Sequence, residues 1–218
     1  MKRSREEESC VQLMFTRLNI GTKYYNINGY LYYGDLVDDK PNGYGKIFYK
    51  DSTLWYDGYW KDGKKHGKGS SYSCSNNTLY YKGEWDNDEI NGFGEIYTDK
   101  GNPFYTGEFK NSKFHGKGTL WQWQNRTHAP FSLYEGDFVN NLKHGKGKKY
   151  DKYGLLKYDG EWKDGYLKYG KYYKTRFIGD EILYEGEYNG NEEKHGKGKL
   201  YHIENNKIPL LSDDSVDG

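Results

Sequence analysis

Aliphatic side chains are scarce in this sequence. Leu, Ile, Val and Phe together make up only 38 of the 218 residues. A share below about 20% is typical of disordered chains when the net charge is also high. Here 33 basic and 32 acidic residues leave a net charge of +1, so that composition rule does not indicate disorder. The same balance argues against a dedicated nucleic-acid-binding protein, which usually carries a clear basic excess.

Cysteine and long apolar runs are also rare. The two cysteines, Cys10 and Cys74, lie far apart and match no zinc-binding or redox spacing. Small secreted proteins usually depend on disulfides, so this scarcity favours a reducing compartment. Residues 1–8 are highly charged and the apolar run 11–15 is short, so we expect neither a signal peptide nor a membrane-spanning helix. We therefore predict a cytoplasmic protein, peripheral at a membrane or the cytoskeleton if it is attached at all.

Aromatic residues and glycine are abundant. The chain has 25 Tyr, 6 Trp, 9 Phe and 29 Gly. Aromatic rings bury large areas and can supply a core that the few aliphatic residues cannot. Tyr, Trp and Phe also favour strands. We therefore predict an all-β protein with an aromatic core.

One sequence unit recurs along most of the chain. It consists of Tyr-x-Gly-x-aromatic, a short polar turn, and His/Asn-Gly-x-Gly, and its clearest copy spans residues 56–69. The sixth copy degrades to Tyr169-Gly170-Lys171-Tyr172, and Asn42 and Asn91 replace the histidine of the first and third copies. The first glycine of the seven copies falls at Gly34, Gly58, Gly83, Gly107, Gly136, Gly160 and Gly186.

Each unit has the pattern of a β-hairpin. Asp62-Gly63, Asp164-Gly165 and Asn189-Gly190 are dipeptides typical of hairpin turns. A single hairpin is only marginally stable, so successive hairpins must stack, as they do in repeat proteins. Two strands per unit at about 4.8 Å each predict a rod on the order of 70 Å long.

Glycine inside these strands has a packing explanation. Tyr56, Gly58 and Trp60 share one face of the first strand because side chains alternate with a period of two. Glycine weakens a strand unless another group must approach closely. We predict that aromatic rings of neighbouring strands lie over the glycines.

The phased units resemble the MORN repeat family over residues 32–201. The resemblance implies an elongated single-layer antiparallel sheet of stacked hairpins with an open groove. It also implies scaffolding or targeting roles at membranes or cytoskeletal structures. We assign residues 32–202 to the repeat array and residues 203–218 to an acidic tail.

Residues 1–31 precede the array as a tail or a helical cap. Ser4 and Glu7 fit a capping box at a helix start. Four apolar residues fit one helical face. These are Val11, Met14, Phe15 and Leu18. A helix here would cover the edge strand of the first repeat.

No enzyme motif stands out. There is neither a Gly-x-Ser-x-Gly sequence nor a phosphate-binding loop with a following helix. Equivalent positions on successive hairpins are about 10 Å apart, whereas two ligands of one metal ion lie about 3–4 Å apart. The recurrent histidines therefore cannot share a metal ion through the array, and we predict no catalytic residue, metal or other cofactor. These histidines are His66, His115, His144 and His195.

We predict a non-enzymatic interaction scaffold that presents an aromatic-lined groove to an extended or helical segment of a protein partner. Trp121 and Trp123 are added candidates, since two nearby tryptophans on one face exceed what the repeat requires. The alternative is that these rings only pack against one another. The other predicted partner-binding residues are Tyr56, Trp60, Tyr81, Trp85, Tyr105, Phe109, Tyr134 and Phe138.

Attachment to anionic phospholipids is the alternative function. It would use the recurrent lysines Lys68, Lys117, Lys146 and Lys197. Each lysine near an anionic surface contributes about 1 kcal/mol, but interleaved Asp and Glu residues oppose this. An open sheet also has edge strands, so a homodimer through the seventh repeat fits either function.

Overall fold

A computed structural model describes residues 24–27, 29–123, 130–176 and 179–201. This part of the chain is all-β and contains no helix, hence no helical segment able to cross a membrane. The predicted helix over residues 4–18 lies outside the described residues. The strands are β1 (Tyr24–Ile27), β2 (Tyr30–Val37), β3 (Lys40–Phe48), β4 (Leu54–Lys61), β5 (Lys64–Tyr72), β6 (Leu79–Asp86), β7 (Glu89–Tyr97), β8 (Pro103–Lys110), β9 (Lys113–Trp123), β10 (Pro130–Val139), β11 (Leu142–Tyr150), β12 (Leu156–Lys163), β13 (Tyr166–Arg176), β14 (Gly179–Tyr188) and β15 (Lys194–Leu200).

The chain divides into two compact units. The first ends at Asn102 and contains β1–β7, and the second begins at Pro103 and contains β8–β15. Within each unit every strand pairs antiparallel with the strand that follows it. This confirms the predicted antiparallel sheet of stacked hairpins. Strand β1 pairs with β2, so a strand within the range predicted as a tail or cap covers the first repeat.

Two-residue turns close most of the hairpins. Asp62 and Gly63 have φ of 51° and 82°, and Asp164 and Gly165 have φ of 52° and 92°. Two left-handed residues in succession are the signature of the type I′ turn, which suits the strand twist. The prediction for Asn189-Gly190 is wrong, because Tyr188 pairs with Lys194 and leaves a five-residue loop. The Asn189 side chain accepts backbone hydrogen bonds from within that loop, an arrangement that a dipeptide pattern does not reveal.

Paired glycines make room for buried tyrosine rings, as predicted. Gly58 and Gly69 face each other across β4 and β5. The Tyr56 ring lies over Gly69, and its hydroxyl donates a hydrogen bond to the carbonyl oxygen of Tyr59 at 2.9 Å. The Trp60 indole N–H donates to the carbonyl oxygen of Gly45 in the preceding hairpin at 3.1 Å. We call the surface that carries these rings the ring face and the other surface the opposite face.

A β-bulge interrupts the strict alternation at the start of each typical second strand. Gly58 pairs with Gly69 but Trp60 pairs with Lys65, so β5 carries two extra residues at this point. Gly67 lies in the bulge with a φ of +61°, a conformation that glycine adopts at little cost.

Carboxylates of the first strand stabilise this bulge. A Glu84 carboxylate oxygen accepts a hydrogen bond from the backbone N–H of Phe93 at 3.0 Å. Glu108 and Asp137 do the same for Lys117 and Lys146 in the second unit, each at 3.0 Å. The acidic residue after the first glycine of these repeats thus satisfies a backbone donor of its own hairpin.

The sixth repeat differs by a deletion of one residue. Gly160 pairs with Gly170 and Trp162 pairs with Leu167, so the bulge of β13 is one residue shorter than that of β5. Gly170 therefore takes the place of Gly69 in the second repeat, and Tyr169 takes the place of Lys68. Leu167 is fully buried, and its Cδ1 is the nearest side-chain atom to a Cβ built on Gly160, at 3.0 Å.

Candidate functional site

The ring face is a closed core. Tyr rings and the aromatic residues two positions after the motif glycine alternate in edge-to-face contacts, such as Tyr56 with Trp60 at 5.1 Å and Tyr134 with Phe138 at 5.1 Å between centroids. Such contacts are favoured by the ring quadrupole. Eight of the predicted partner-binding residues belong to this core and are at most 7% exposed. They are Tyr56, Trp60, Tyr81, Trp85, Tyr105, Phe109, Tyr134 and Phe138. The structure gives these residues a packing role, and their contact with a partner stays a prediction.

Lysines cover part of the rings. The Lys65 ammonium lies 4.7 Å from the ring centroid of Trp55 and 4.8 Å from that of Trp85. Burial lowers the pKa of Lys65 below its ordinary value. In the second unit the Lys143 ammonium lies 4.9 Å from the Trp162 ring. The described residues form one layer, so long side chains provide cover for its rings.

Trp121 and Trp123 are half-buried and have hydrogen-bond partners within the second unit. The Trp121 indole N–H donates to the Thr106 hydroxyl at 3.1 Å, and that of Trp123 donates to the Pro103 carbonyl oxygen at 2.8 Å. Both tryptophans thus fix β9 to β8. Residues 124–129, which follow them, lie outside the described residues.

The opposite face of the first unit carries an open groove of about 470 Å³. Its floor is the backbone of four motif glycines and the small side chain of Ser70. Tyr44, Tyr59 and Phe93 line it and are 47%, 52% and 55% exposed. Large aromatic rings with this exposure, grouped around a concave floor, are typical of surfaces that bind other molecules.

The three aromatic residues stand at positions that usually carry charge. Tyr44 and Phe93 lie between the two glycines of the Gly-x-Gly sequence in the second strand, where the second repeat has Lys68 and the fourth has Lys117. Tyr59 follows the first motif glycine, where most other repeats have Asp or Glu. Sequence reasoning missed this site because it concentrated on the regular motif positions. The signal was present as the repeats' departures from their own pattern.

Charges in the groove and beside it are mixed. The Lys46 ammonium pairs with Asp57 at 2.8 Å, and the Tyr44 hydroxyl donates to the same carboxylate. This hydrogen bond, with a smaller effect of burial, raises the pKa of Tyr44 to about 12. Lys68 and Glu84 also line the groove. The groove therefore offers apolar rings, donors and acceptors together, without a single dominant charge.

The recurrent lysines of the lipid hypothesis are all exposed. Lys68 lines the groove of the first unit. Lys117 pairs with Asp137 at 3.0 Å in the second unit. Lys146 and Lys197 stand at the same repeat position. Their binding of lipids stays a prediction.

The motif histidines lie beside the turns. His66 Nδ1 is 3.3 Å from a carboxylate oxygen of Asp86, and His144 Nδ1 is 3.9 Å from one of Asp164. Within the described ranges, no group of three or more His, Cys, Asp or Glu residues is arranged to hold a metal ion. Cys74 is an exposed free thiol.

Stacked hairpins with paired glycines and buried tyrosines define an all-β repeat protein. A family model described as the MORN repeat matches residues 32–53, 56–78, 81–102, 105–126, 134–152 and 158–167, more than half of the chain. The chain therefore belongs to the MORN repeat family, which is generally non-enzymatic, and its repeats are consistent with a scaffold or a membrane-associated protein. A comparison with curated proteins gives no match.

The seventh copy lies outside the ranges that the family model matches, yet it has the repeat geometry. The Tyr184 hydroxyl donates to the Glu187 carbonyl oxygen at 3.0 Å, and the Tyr184 ring lies over Gly198. The hairpin formed by β14 and β15 is therefore a further repeat of this array.

Proposed function

We propose that this protein is a non-enzymatic scaffold of the cytoplasm that binds an extended or helical segment of a protein partner. The observation that carries the proposal is the groove on the opposite face of the first unit, with Tyr44, Tyr59 and Phe93 exposed around a glycine-backbone floor. Tyr gives a large contact area at a low cost in conformational entropy. The mixed charges favour a segment with both apolar and polar side chains.

The size of the groove suits a short segment. Its lining runs across β3 to β7, and four strand spacings amount to about 19 Å. About six residues of an extended chain span this distance. A segment bound in this groove would contact only the opposite face, so the core of buried rings on the ring face would stay intact.

Selection from a random peptide library tests the proposal. Peptides that bind the full chain should lose most of their affinity for the double variant Tyr44→Ser, Phe93→Ser. The matched control is Tyr169→Ser, since Tyr169 stands at the same repeat position as Tyr44 and Phe93, is 46% exposed and lies in the second unit. The double variant should stay folded and unfold at only a slightly lower denaturant concentration, because Tyr44 loses its hydrogen bond to Asp57 but neither ring belongs to the core. Selected peptides that bind both forms equally well would contradict the proposal.

Lipid attachment is the weaker candidate, because at least one recurrent lysine is already paired with a carboxylate. Co-sedimentation with anionic and neutral vesicles tests it. Near 0.15 M salt, exposed charges more than about 8 Å apart are largely screened. Lipid attachment would be favoured over the scaffold if binding to anionic vesicles persists at this salt concentration and is lost after Lys68→Glu and Lys117→Glu.

Self-association through the last repeat is a further prediction. Strand β15 has β14 on one side and no described strand on the other. Size-exclusion chromatography should show a dimer that dissociates when Leu200 on β15 is replaced by proline. Tyr201 donates its backbone N–H to the Leu183 carbonyl oxygen of β14, so the N–H of the preceding Leu200 points to the open edge, and proline removes that donor. The control is Asp99→Pro, because Asp99 is exposed and is the second residue of a turn closed by the Gly101 N–H and the Thr98 carbonyl oxygen, a position that favours proline.

A further inference from the structure

The second unit contains a basic pocket on the ring face. It has a volume of about 520 Å³ and lies between the β11–β12 loop and β13. Four lysines line it against a single acidic residue, Asp151. Tyr153 and Leu155 form an apolar rim and are 64% and 42% exposed. We call this the basic pocket, with Lys149, Lys152, Lys157 and Lys174 as its lysines.

Two of these lysines break the repeat pattern. Lys149 stands two residues after Gly147, the last glycine of the fifth copy. Lys157 directly precedes Tyr158, the motif tyrosine of the sixth copy. The register pairs Lys149 with Tyr158, so the two departures from the pattern lie next to each other in the sheet. The other repeats have Ile47, Ser71, Ile96, Leu120, Tyr172 and Leu200 at the first position, and Leu31, Trp55, Tyr80, Phe104, Leu133 and Leu183 at the second.

The carboxylates nearby leave a positive excess. Asp151 accepts the backbone N–H groups of Tyr153 at 2.8 Å and Leu155 at 3.0 Å, so it serves the loop itself. Lys149 pairs with Glu192. The cross-strand neighbour of Lys174 is Glu181.

Two of the other three lysines, Lys157 and Lys174, form no ion pair of the kind that Lys149 makes with Glu192. Neither Lys157 nor Lys174 forms an ion pair with a described residue. Lys157 lies over the Tyr158 ring at 5.2 Å, and Lys174 is exposed. The pocket is therefore suited to an occupant with carboxylates next to apolar side chains.

The chain's own C-terminal segment has this chemistry. Residues 208–211 are Ile-Pro-Leu-Leu, and the following residues 212–217 are Ser-Asp-Asp-Ser-Val-Asp, with three acidic residues and no basic one. Residues 202–218 lie outside the described residues.

The described residues end close to the strands that carry the basic pocket. Leu200 lies in one cross-strand row with Tyr184, Tyr172, Tyr158 and Lys149. At about 4.8 Å per strand, β13 is about 10 Å and β11 about 19 Å from β15. Residues 202–212 span up to about 35 Å when extended. The segment is therefore long enough to reach every lysine of the pocket.

We propose that residues 208–217 bind in the basic pocket of the same molecule. The apolar residues 208–211 contact Tyr153 and Leu155, and the carboxylates of Asp213 and Asp214 lie near Lys157 and Lys174. A tethered segment has a high effective concentration, so an acidic partner or surface must displace it to use this pocket. This inference is independent of the groove in the first unit.

Paramagnetic relaxation in NMR spectra of the full chain tests the docking. A nitroxide is attached at Ser215→Cys in a background of Cys10→Ser and Cys74→Ser. The label should remove amide signals of residues 149–157 and 172–174 and spare the turns at 140–141 and 164–165. High salt should restore these signals, because it screens exposed charges.

Charge reversal supplies the control and the opposite outcome. Lys157→Glu with Lys174→Glu should restore the signals, whereas Lys146→Glu with Lys163→Glu should leave the loss unchanged. Signals that are unaffected by the label, or a loss that the pocket variant does not change, would overturn the proposal. A loss of amide signals that appears only after phosphatidylserine vesicles are added would also overturn the proposal, since the pocket would then bind a membrane surface.

Discussion

The ring of Tyr56 occupies the space that a side chain at Gly69 would need. A Cβ built on Gly69 would lie 2.6 Å from Cε2 of Tyr56, far inside van der Waals contact. Gly69 in turn faces Gly58 across the hairpin, so neither strand has a side chain at the crossing. A single layer can bury a tyrosine completely because the neighbouring strands leave this space empty.

We expect Gly69→Ala to destabilise the protein by about 1–3 kcal/mol, the usual cost of overpacking a core. The Tyr56 ring cannot move away without losing its hydrogen bond to the Tyr59 carbonyl oxygen. The control is Gly190→Ala, where the nearest atom to an added Cβ is on the Tyr166 ring at 3.7 Å. Urea unfolding followed by tryptophan fluorescence measures both, and similar midpoints for the two variants would argue against the steric explanation.

Tyr56→Phe tests the hydrogen bond without changing the ring. The variant leaves the Tyr59 carbonyl oxygen without its 2.9 Å donor, so we expect a loss of about 1 kcal/mol. Tyr80→Phe should have no measurable effect, because Tyr80 is 48% exposed. A Tyr56→Phe variant as stable as the unchanged chain would show that water replaces the donor.

Lys65 is expected to stabilise the core through its stem as well as its charge. Lys65→Ala should cost about 1–2 kcal/mol, because it uncovers Trp55 and Trp85 and removes a cation–π contact. Lys65→Met should recover most of this loss, since the methionine side chain covers the same rings. Lys64→Ala, at the exposed neighbouring position, is the control. Equal losses for Lys65→Ala and Lys65→Met would assign the effect to charge alone.

Stability should fall in alkaline solution from about pH 10. Burial raises the pKa of Tyr158 to about 12 and also raises the pKa values of Tyr56 and Tyr134. Tyrosine in the unfolded chain has a pKa of about 10, so the unfolded state releases protons first as the pH rises and becomes favoured. Below about pH 9 both states are protonated and this effect is absent.

Tyrosinate absorbance and urea unfolding, measured from about pH 8 to about pH 12, check the alkaline prediction. The absorbance of the folded chain should rise at a higher pH than that of the chain in concentrated urea. Full ionisation near pH 10 without loss of structure would contradict the burial of these hydroxyls.

Regular features of the repeat were predictable because they follow from local chemistry. The Asp62-Gly63 turn was recognised because these residues tolerate left-handed conformations. The approach of tyrosine rings to glycines was predicted because glycine inside a strand needs a reason. The Asn189-Gly190 turn was wrong because side-chain hydrogen bonds close a longer loop there.

The candidate sites were less predictable because they depend on which residues the sheet brings together. Tyr44, Tyr59 and Phe93 come from three different strands and meet only through the register of the sheet. The motif rings were predicted to line a groove, whereas the structure buries them under side chains such as Lys65. No local pattern reveals which face of a single layer is covered.

The sequence by itself determined the architecture: a repeat of about 25 residues with turn, glycine and aromatic positions in phase specifies stacked antiparallel hairpins. These signals act between residues close together in the chain, where side-chain alternation and turn chemistry apply. Only the tertiary structure decided which face is closed and where the irregular residues gather into a groove and a basic pocket. Those properties arise from contacts between hairpins, and they depend on register and bulges that the sequence pattern does not specify.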